Sequence, residues 1–233
     1  ALRDYFGFNQ FKDEQETAKL VWHRVFYNYV FKGPILEWYI KVKWKFESKN
    51  YEYYNKLIGD RTKIMDVGCG YGYLSLFLHY KNEKREIIAV DYDEEKINIA
   101  KNVYDKNENL KFSYADITRL ELESQDVIFI NDVLHYLTEK DQLDFLEKCS
   151  RSLNEKGILV VRDGITDLIE RHNKTKLTER LSTKFFNFNK KNNEFHFFSS
   201  NFMKLFAEKN GLDYEMQEQS VKTSNVLFIL RKK

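Results

Sequence analysis

From residue 63 onward, short β-branched runs alternate with stretches that are apolar at helical spacing, and this alternation limits the fold more than any other feature. The segments KIMDV (63–67), EIIAVD (86–91), LKFSYAD (110–116), DVIFIN (126–131) and GILVVRD (157–163) have the length and the Ile, Val and Phe content of strands. Between them, YLSLFLHYKN (73–82), DEEKINIAKNVYDKN (93–107) and TEKDQLDFLEKCSRSLN (138–154) place apolar residues three and four apart, as helices do. Strands joined through helices imply right-handed crossovers and a parallel sheet covered on both faces. The last two runs, LDYEMQEQSV (212–221) and NVLFILRKK (225–233), have no helix between them and predict an antiparallel pair at the sheet edge. The expectation is an α/β, Rossmann-like, mostly parallel seven-stranded sheet with helices on both faces.

Before residue 61 the chain changes character. Residues 1–60 hold all three tryptophans, Trp22, Trp38 and Trp44, many Tyr and Phe residues, and the single proline, Pro34. We read 1–60 as a helical appendage or lid and 61–233 as the sheet domain. One stretch is ambiguous in period: Ile40, Val42, Trp44 and Phe46 alternate with Lys41, Lys43 and Lys45 as a strand would. Helix is favoured by the Leu36-Glu37-Trp38 start and the Tyr-rich run after it. That helix is expected to pack a face of Ile35, Trp38 or Tyr39, Val42 and Phe46 onto the sheet domain, the rival reading being an apolar substrate tunnel or an interfacial anchor.

Composition excludes some functions. Hydrophobic residues make up 42% and charged residues 32%, and no run approaches the roughly 18 apolar residues of a membrane span. A net charge of +2 with interspersed signs makes no electrostatic case for nucleic acid. Cys69 and Cys149 are too few for a disulfide framework and point to a reducing, cytoplasmic setting. They and the histidines lack metal-ligand spacing, so no structural metal is expected. The start at Ala1 rather than Met is read as a processed product or a piece of a longer chain.

The chemistry starts at IMDVGCGYGYLS (64–75), which sits at the first strand-to-helix turn, the favoured ligand position in such sheets. Gly68, Gly70 and Gly72 let the backbone approach a ligand with no Cβ in the way. The dinucleotide fingerprint G-x-G-x-x-G would need glycine at position 73, where Tyr73 stands. Asp66 would repel a pyrophosphate and suits a ligand with a cationic amine.

The pattern D-x-G-x-G-x-G after a first strand resembles motif I of class I S-adenosylmethionine-dependent methyltransferases, and the resemblance covers roughly residues 62–233. It implies S-adenosyl-L-methionine as cofactor, held by Asp66, Gly68, Cys69, Gly70 and Gly72. Asp91 falls where the family places the acid that binds both ribose hydroxyls, and Tyr92 where a side chain packs on the adenine. Asp116 falls where the family's third acid takes the adenine amino group, Ile117 would lend its backbone N–H, and Asn131 falls at the methionine end of the cofactor.

Methyl transfer to such an acceptor asks mainly for a close, aligned and deprotonated nucleophile. His135, in DVLHYL just past the fourth strand, is the candidate base, with a packing role as its rival. Asp163, which could face the substrate, reads first as a turn carboxylate beside Gly164, Arg162 as a contact for an acidic group, and His196 as a core or lid residue rather than a base. No N-P-P-Y follows the fourth strand, and Cys149 lies on a helix, so methylation of an adenine or glutamine amino group and cytosine C5 chemistry are disfavoured.

A small-molecule acceptor, hydrophobic or lipid-like, is therefore expected, with the aromatic appendage as lid. The segment FYNYVFKGPILEWYIKVKWKFE also resembles the carboxyl-terminal part of bacterial fusion proteins joining an MMPL-type transporter, a lysophospholipid acyltransferase and a methyltransferase. That resemblance implies peripheral membrane association through a parent protein. The alternatives are an RNA or protein methyltransferase, with the lysines of the appendage and of FNKKNNEF (188–195) as a phosphate footprint, and a scaffold that binds cofactor without catalysis.

Overall fold

The computed structural model describes residues 18–168, 195–218 and 225–233. The lysines of FNKKNNEF and the end of LDYEMQEQSV lie outside the described residues. Seven strands form one sheet: β1 (Lys63–Val67), β2 (Glu86–Asp91), β3 (Leu110–Tyr114), β4 (Gln125–Asn131), β5 (Leu153–Gly164), β6 (Leu212–Glu218) and β7 (Asn225–Lys232). Their spatial order is β3-β2-β1-β4-β5-β7-β6, with β1 to β5 parallel and β7 antiparallel to both β5 and β6. The order reverses between β1 and β4, which opens a crevice at the carboxyl ends of those two strands. The expected antiparallel edge pair is β6 and β7.

Among the described residues the α-helices are α1 (Ala18–Tyr27), α2 (Pro34–Ile58), α3 (Tyr73–Lys81), α4 (Glu94–Lys101), α5 (Glu139–Ser152) and α6 (Ser200–Lys209). Local chemistry starts three of them. Asp93 accepts from the N–H groups of Glu95 and Lys96, Thr138 from Asp141, and Ser199 from Phe202. Helix α4 stops at Lys101, short of the 93–107 pattern, because tertiary contacts hold the chain that follows. Asn28 Oδ1 accepts the Asp105 N–H at 2.9 Å, and Arg24 reaches Asp105 at 3.4 Å. Strand β5 begins at Leu153 rather than Gly157, since Leu153 pairs with Gln125.

The central strands are buried on both faces, Val127 to Ile130 and Leu159 to Val161 having no exposed surface, so they read as continuous apolar runs. Helices α1 and α2 share one core with the sheet: Val21, Trp22, Tyr29, Ile40 and Tyr54 join Ile64, Phe77 and Phe129. Trp22 stacks on Trp44 at 4.4 Å between ring centroids, a contact of the kind that adds about 0.5–1.5 kcal/mol beyond burial. At the other end of α2, buried Arg85 donates to Asn55 Oδ1, Gly59 O and Leu78 O and so ties α2 to α3.

One expectation about α2 is overturned. The stretch is helical throughout, but its packed face is Leu36, Ile40, Glu47, Tyr51, Tyr54 and Ile58. Ile35, Trp38 and Phe46, three residues of the face expected to pack, are half to two-thirds exposed or more, whereas Tyr39, the alternative to Trp38, packs on Tyr71 and Tyr73. Both faces carry apolar residues at helical spacing, and the sheet and α3 present aromatic partners, Phe77 and Phe129, to the second one. Among the described residues no helix is long and apolar enough to cross a membrane.

Candidate active site

Strand β1 delivers the chain into the loop Gly68-Cys69-Gly70-Tyr71-Gly72, whose glycines all adopt positive φ. A Cβ at Gly68 would overlap the Val133 side chain, and one at Gly72 would overlap the Phe112 ring. At Gly70 a Cβ would meet nothing within 4 Å, so this is the glycine that faces open space. The loop is lashed to β2: the Gly68 and Cys69 N–H groups donate to Val90 O, and the Gly70 N–H donates to Asp91 Oδ2 at 2.7 Å. The N–H of Asp93 donates to Asp91 Oδ1 at 2.8 Å. Each Asp91 oxygen thus accepts one backbone proton and retains a second lone pair, so the carboxylate shapes the loop as well as facing the crevice.

Asp66 lies beneath this loop, 2% exposed, and accepts from the Ser75 hydroxyl at 2.5 Å. Burial raises its carboxyl to about 6, Ser75 opposing the shift and Asp91 adding to it. A cationic group arriving nearby would favour its ionised form. Cys69 is a poor nucleophile, because burial pushes its thiol up.

Tyr92 and Tyr114 end β2 and β3 side by side, half exposed, with ring centroids 5.8 Å apart. Tyr114 was not singled out from the sequence, although the register that sets it opposite Asp91 makes it a neighbour of Tyr92. Asp116 Oδ1 accepts from the N–H and hydroxyl of Thr118 and closes a turn, with Ile117 buried behind it. Asp91, Tyr92, Tyr114, Asp116 and Ile117 thus stand along the carboxyl ends of β2 and β3.

On the other side of the glycine loop, Asn131 ends β4 and accepts from the Tyr54 hydroxyl of α2 at 3.2 Å. Val133, which touches Gly68, brings the chain after β4 against the loop. Arg162 at the end of β5 is paired with Asp132 at 2.8 Å and with Glu47 of α2 at 3.2 Å. The acidic group read from sequence for Arg162 is therefore supplied by the chain itself. Sequence spacing offered no sign of Glu47 and Tyr54 in this role beyond their places on the buried face of α2. Lys43, one turn before Glu47, is held more basic than usual by Tyr39 first and by Glu47 and Asp132, against the effect of burial.

His135 sits in a short 3₁₀ turn, Leu134–Tyr136, and is 2% exposed. Its Nδ1 lies 2.6 Å from Asp163 Oδ1, and its backbone N–H donates to Asp163 Oδ2 at 3.3 Å. The Asp163 reading is corrected here. It is no solvated turn residue but a fully buried carboxylate on β5, also accepting the Gly164 N–H at 2.8 Å. An anionic partner at Nδ1 places the proton there and leaves Nε2 as the basic nitrogen of the ring. Phe197 stacks on the imidazole at 5.2 Å, with Tyr136 and Phe195 beside it. His196 contributes its backbone, its N–H donating to His135 O and its carbonyl accepting from Gln142. Among the described residues no three His, Cys, Asp or Glu side chains gather as a metal site would require.

Residues 58–220 match the profile of a family described as a methyltransferase domain. Over 113 residues the chain is 31% identical to a carboxy-S-adenosyl-L-methionine synthase of Vibrio campbellii, covering 46% of each chain. The chain thus spans about half the length of the curated relatives it matches. Among solved structures it resembles human N-acetylserotonin methyltransferase in complex with SAM, with a TM-score of 0.59 and 17% identity over 80% of this chain and 52% of that one. It also resembles the magnesium protoporphyrin IX methyltransferase of Synechocystis with bound SAH, with a TM-score of 0.59 and 14% identity over 100% of this chain and 98% of that one.

Proposed function

Because this chain belongs to the methyltransferase-domain family, whose class I members use S-adenosyl-L-methionine, we propose that it transfers a methyl group to a hydroxyl-bearing apolar small molecule. The residues fit the cofactor: an open face at Gly70, a lone pair left on each Asp91 oxygen, and the half-exposed Tyr92 and Tyr114 rings. Asp91 would hold the ribose, Tyr92, Asp116 and Ile117 the adenine, and Asp66 with Asn131 the methionine end. The bound sulfonium supplies an electrophilic methyl group and a good leaving group.

The observation that carries the reading is the buried pair of His135 and Asp163 inside an aromatic wall of Tyr136, Phe195 and Phe197. His135 Nε2 takes the acceptor's proton as the methyl bond forms, and Asp163 stabilises the imidazolium that results. A proton-accepting group suits an alcohol or phenol, which needs activation, and the aromatic wall suits an apolar skeleton. Helix α2, fastened to the crevice through Tyr54 and Glu47, serves as the lid.

The test is methyl transfer from labelled cofactor to a panel of apolar alcohols and phenols beside small charged amines and acids. Turnover confined to the charged acceptors overturns the reading. The similarity to carboxy-S-adenosyl-L-methionine synthases favours a second reading, in which the cofactor itself is modified. Mass spectrometry separates the two, since the nucleoside product is S-adenosylhomocysteine in one case and carboxy-S-adenosylmethionine in the other.

A further inference from the structure

The outward face of α2 combines two features. Ile35, Trp38, Val42 and Phe46 recur at spacings of three, four and four, a stripe about 16 Å long at 1.5 Å per residue. Ile35 is 66% exposed, Trp38 50% and Phe46 70%, and just before the helix Phe31 is 86% exposed. Phe31 holds a positive φ of 65°, a conformation that costs a bulky residue energy, while its N–H donates to Glu37 Oε1 at 2.9 Å. The turn between α1 and α2 therefore holds an aromatic ring in water.

Beside the stripe stand Lys41, Lys45 and Lys49, all exposed. The acids of α2 offset them only in part: Glu47 is buried against Arg162 and Glu52 is paired with Lys81 at 2.9 Å, while Glu37 keeps its charge as it accepts the Phe31 N–H. The face is thus apolar and net cationic, which fits a negatively charged, partly apolar partner. A soluble acidic peptide would leave the aromatic side chains in water, whereas an anionic bilayer offers phosphates to the lysines and acyl chains to Phe31, Ile35 and Phe46.

We infer that the outward face of α2 docks on an anionic lipid bilayer, with Phe31, Ile35, Trp38 and Phe46 inserted at the headgroup boundary and Lys41, Lys45 and Lys49 on the phosphates. The same helix presents Tyr39 to Tyr71 of the glycine loop and Glu47 to Arg162 beside Asn131. Docking therefore sets the membrane surface against the same helix that borders the crevice. The inference rests on the surface of α2 and not on the acceptor proposed above. A protein that ignores vesicles yet methylates a dissolved apolar alcohol would lose this inference and keep that reading.

The experiment is co-sedimentation of the 233-residue chain with phosphatidylcholine vesicles, with and without phosphatidylserine. Binding is expected only with phosphatidylserine and should fall steeply with added salt. Lys45→Gln and Lys49→Gln should each weaken it about fivefold, and Phe46→Ser by tenfold or more, with melting temperatures unchanged. Three results overturn the inference: equal binding to both vesicle types or to neither; a Phe46→Ser variant that melts earlier while binding vesicles normally, which would mean the chain covers the stripe itself; or a concentration-dependent dimer abolished by Phe46→Ser, which would mean a second copy does.

Discussion

Asp163 Oδ1 lies 2.6 Å from His135 Nδ1, and neither side chain is more than 2% exposed. The contact joins the end of β5 to the turn after β4 and fixes the imidazole between them. As general base the ring acts in its neutral form, so single-turnover rates should rise with pH and level off once it is deprotonated. His135→Ala should remove that limb and slow transfer by about 10²–10⁴-fold, with cofactor affinity nearly unchanged. Asp163→Asn takes the carboxylate away from Nδ1, so the plateau rate should drop. Parallel pH profiles in wild type and His135→Ala would take the histidine off the catalytic list.

Asp66 gives a second pH signature. Its carboxyl is raised to about 6 from 3.8, so between those values the folded protein binds a proton that the unfolded chain has released. Stability is then fully favoured below pH 4 by this group and falls as pH rises through about 6, by on the order of 3 kcal/mol. Asp66→Asn should flatten that slope in chemical denaturation. Cofactor binding should release the same proton, so affinity should climb with pH through about 6. Calorimetry in two buffers of different ionisation enthalpy would detect the proton; none released would show that the amine sits elsewhere.

The glycines of the loop should separate stability from binding. Gly70→Val meets no protein atom within 4 Å but carries a branched side chain at a φ of 56°, so it should fold with a cost of about 1–2 kcal/mol and lose cofactor. Gly72→Ala drives a methyl group into Phe112 and should lower the melting temperature more than it lowers affinity. The comparison is a thermal melt beside a cofactor titration for each variant, and the reverse ranking would place the ligand away from Gly70.

Asp91 accepts two backbone protons, so Asp91→Ala should weaken cofactor binding by about 1–3 kcal/mol for the stranded ribose hydroxyls and loosen the Gly70 N–H as well. Asp91→Asn keeps one acceptor oxygen and should fall between wild type and Ala. An affinity for Asp91→Ala equal to wild type would contradict the ribose assignment.

Glu47 should matter to transfer rather than to cofactor. Glu47→Gln keeps the shape but leaves buried Arg162 with Asp132 as its remaining partner among the described ion pairs, so α2 should sit less firmly over the crevice. We expect turnover to drop with the cofactor dissociation constant unchanged. A change confined to cofactor affinity would argue against α2 as the acceptor lid.

The strands, the order of elements, the glycine loop and the acids that end β2 and β3 were legible in the chain, because each rests on short-range causes. Residue spacing decides which side of a strand or helix is apolar, and Gly70, Asp93 or Thr138 act on backbone atoms a few positions away. Tertiary structure alone decided the rest, for a physical reason that recurs. Helix α2 carries apolar residues on two faces, and only the aromatic surface of α3 and β4 selected the one with Leu36, Ile40, Tyr51 and Tyr54 for burial. Asp163 looked like a turn residue because its partner His135 lies 28 positions away, and Arg162 finds Glu47 across 115. Such pairs are chosen by which strand ends lie side by side at the carboxyl edge, where burial makes an unpaired charge costly, and no local spacing encodes that adjacency.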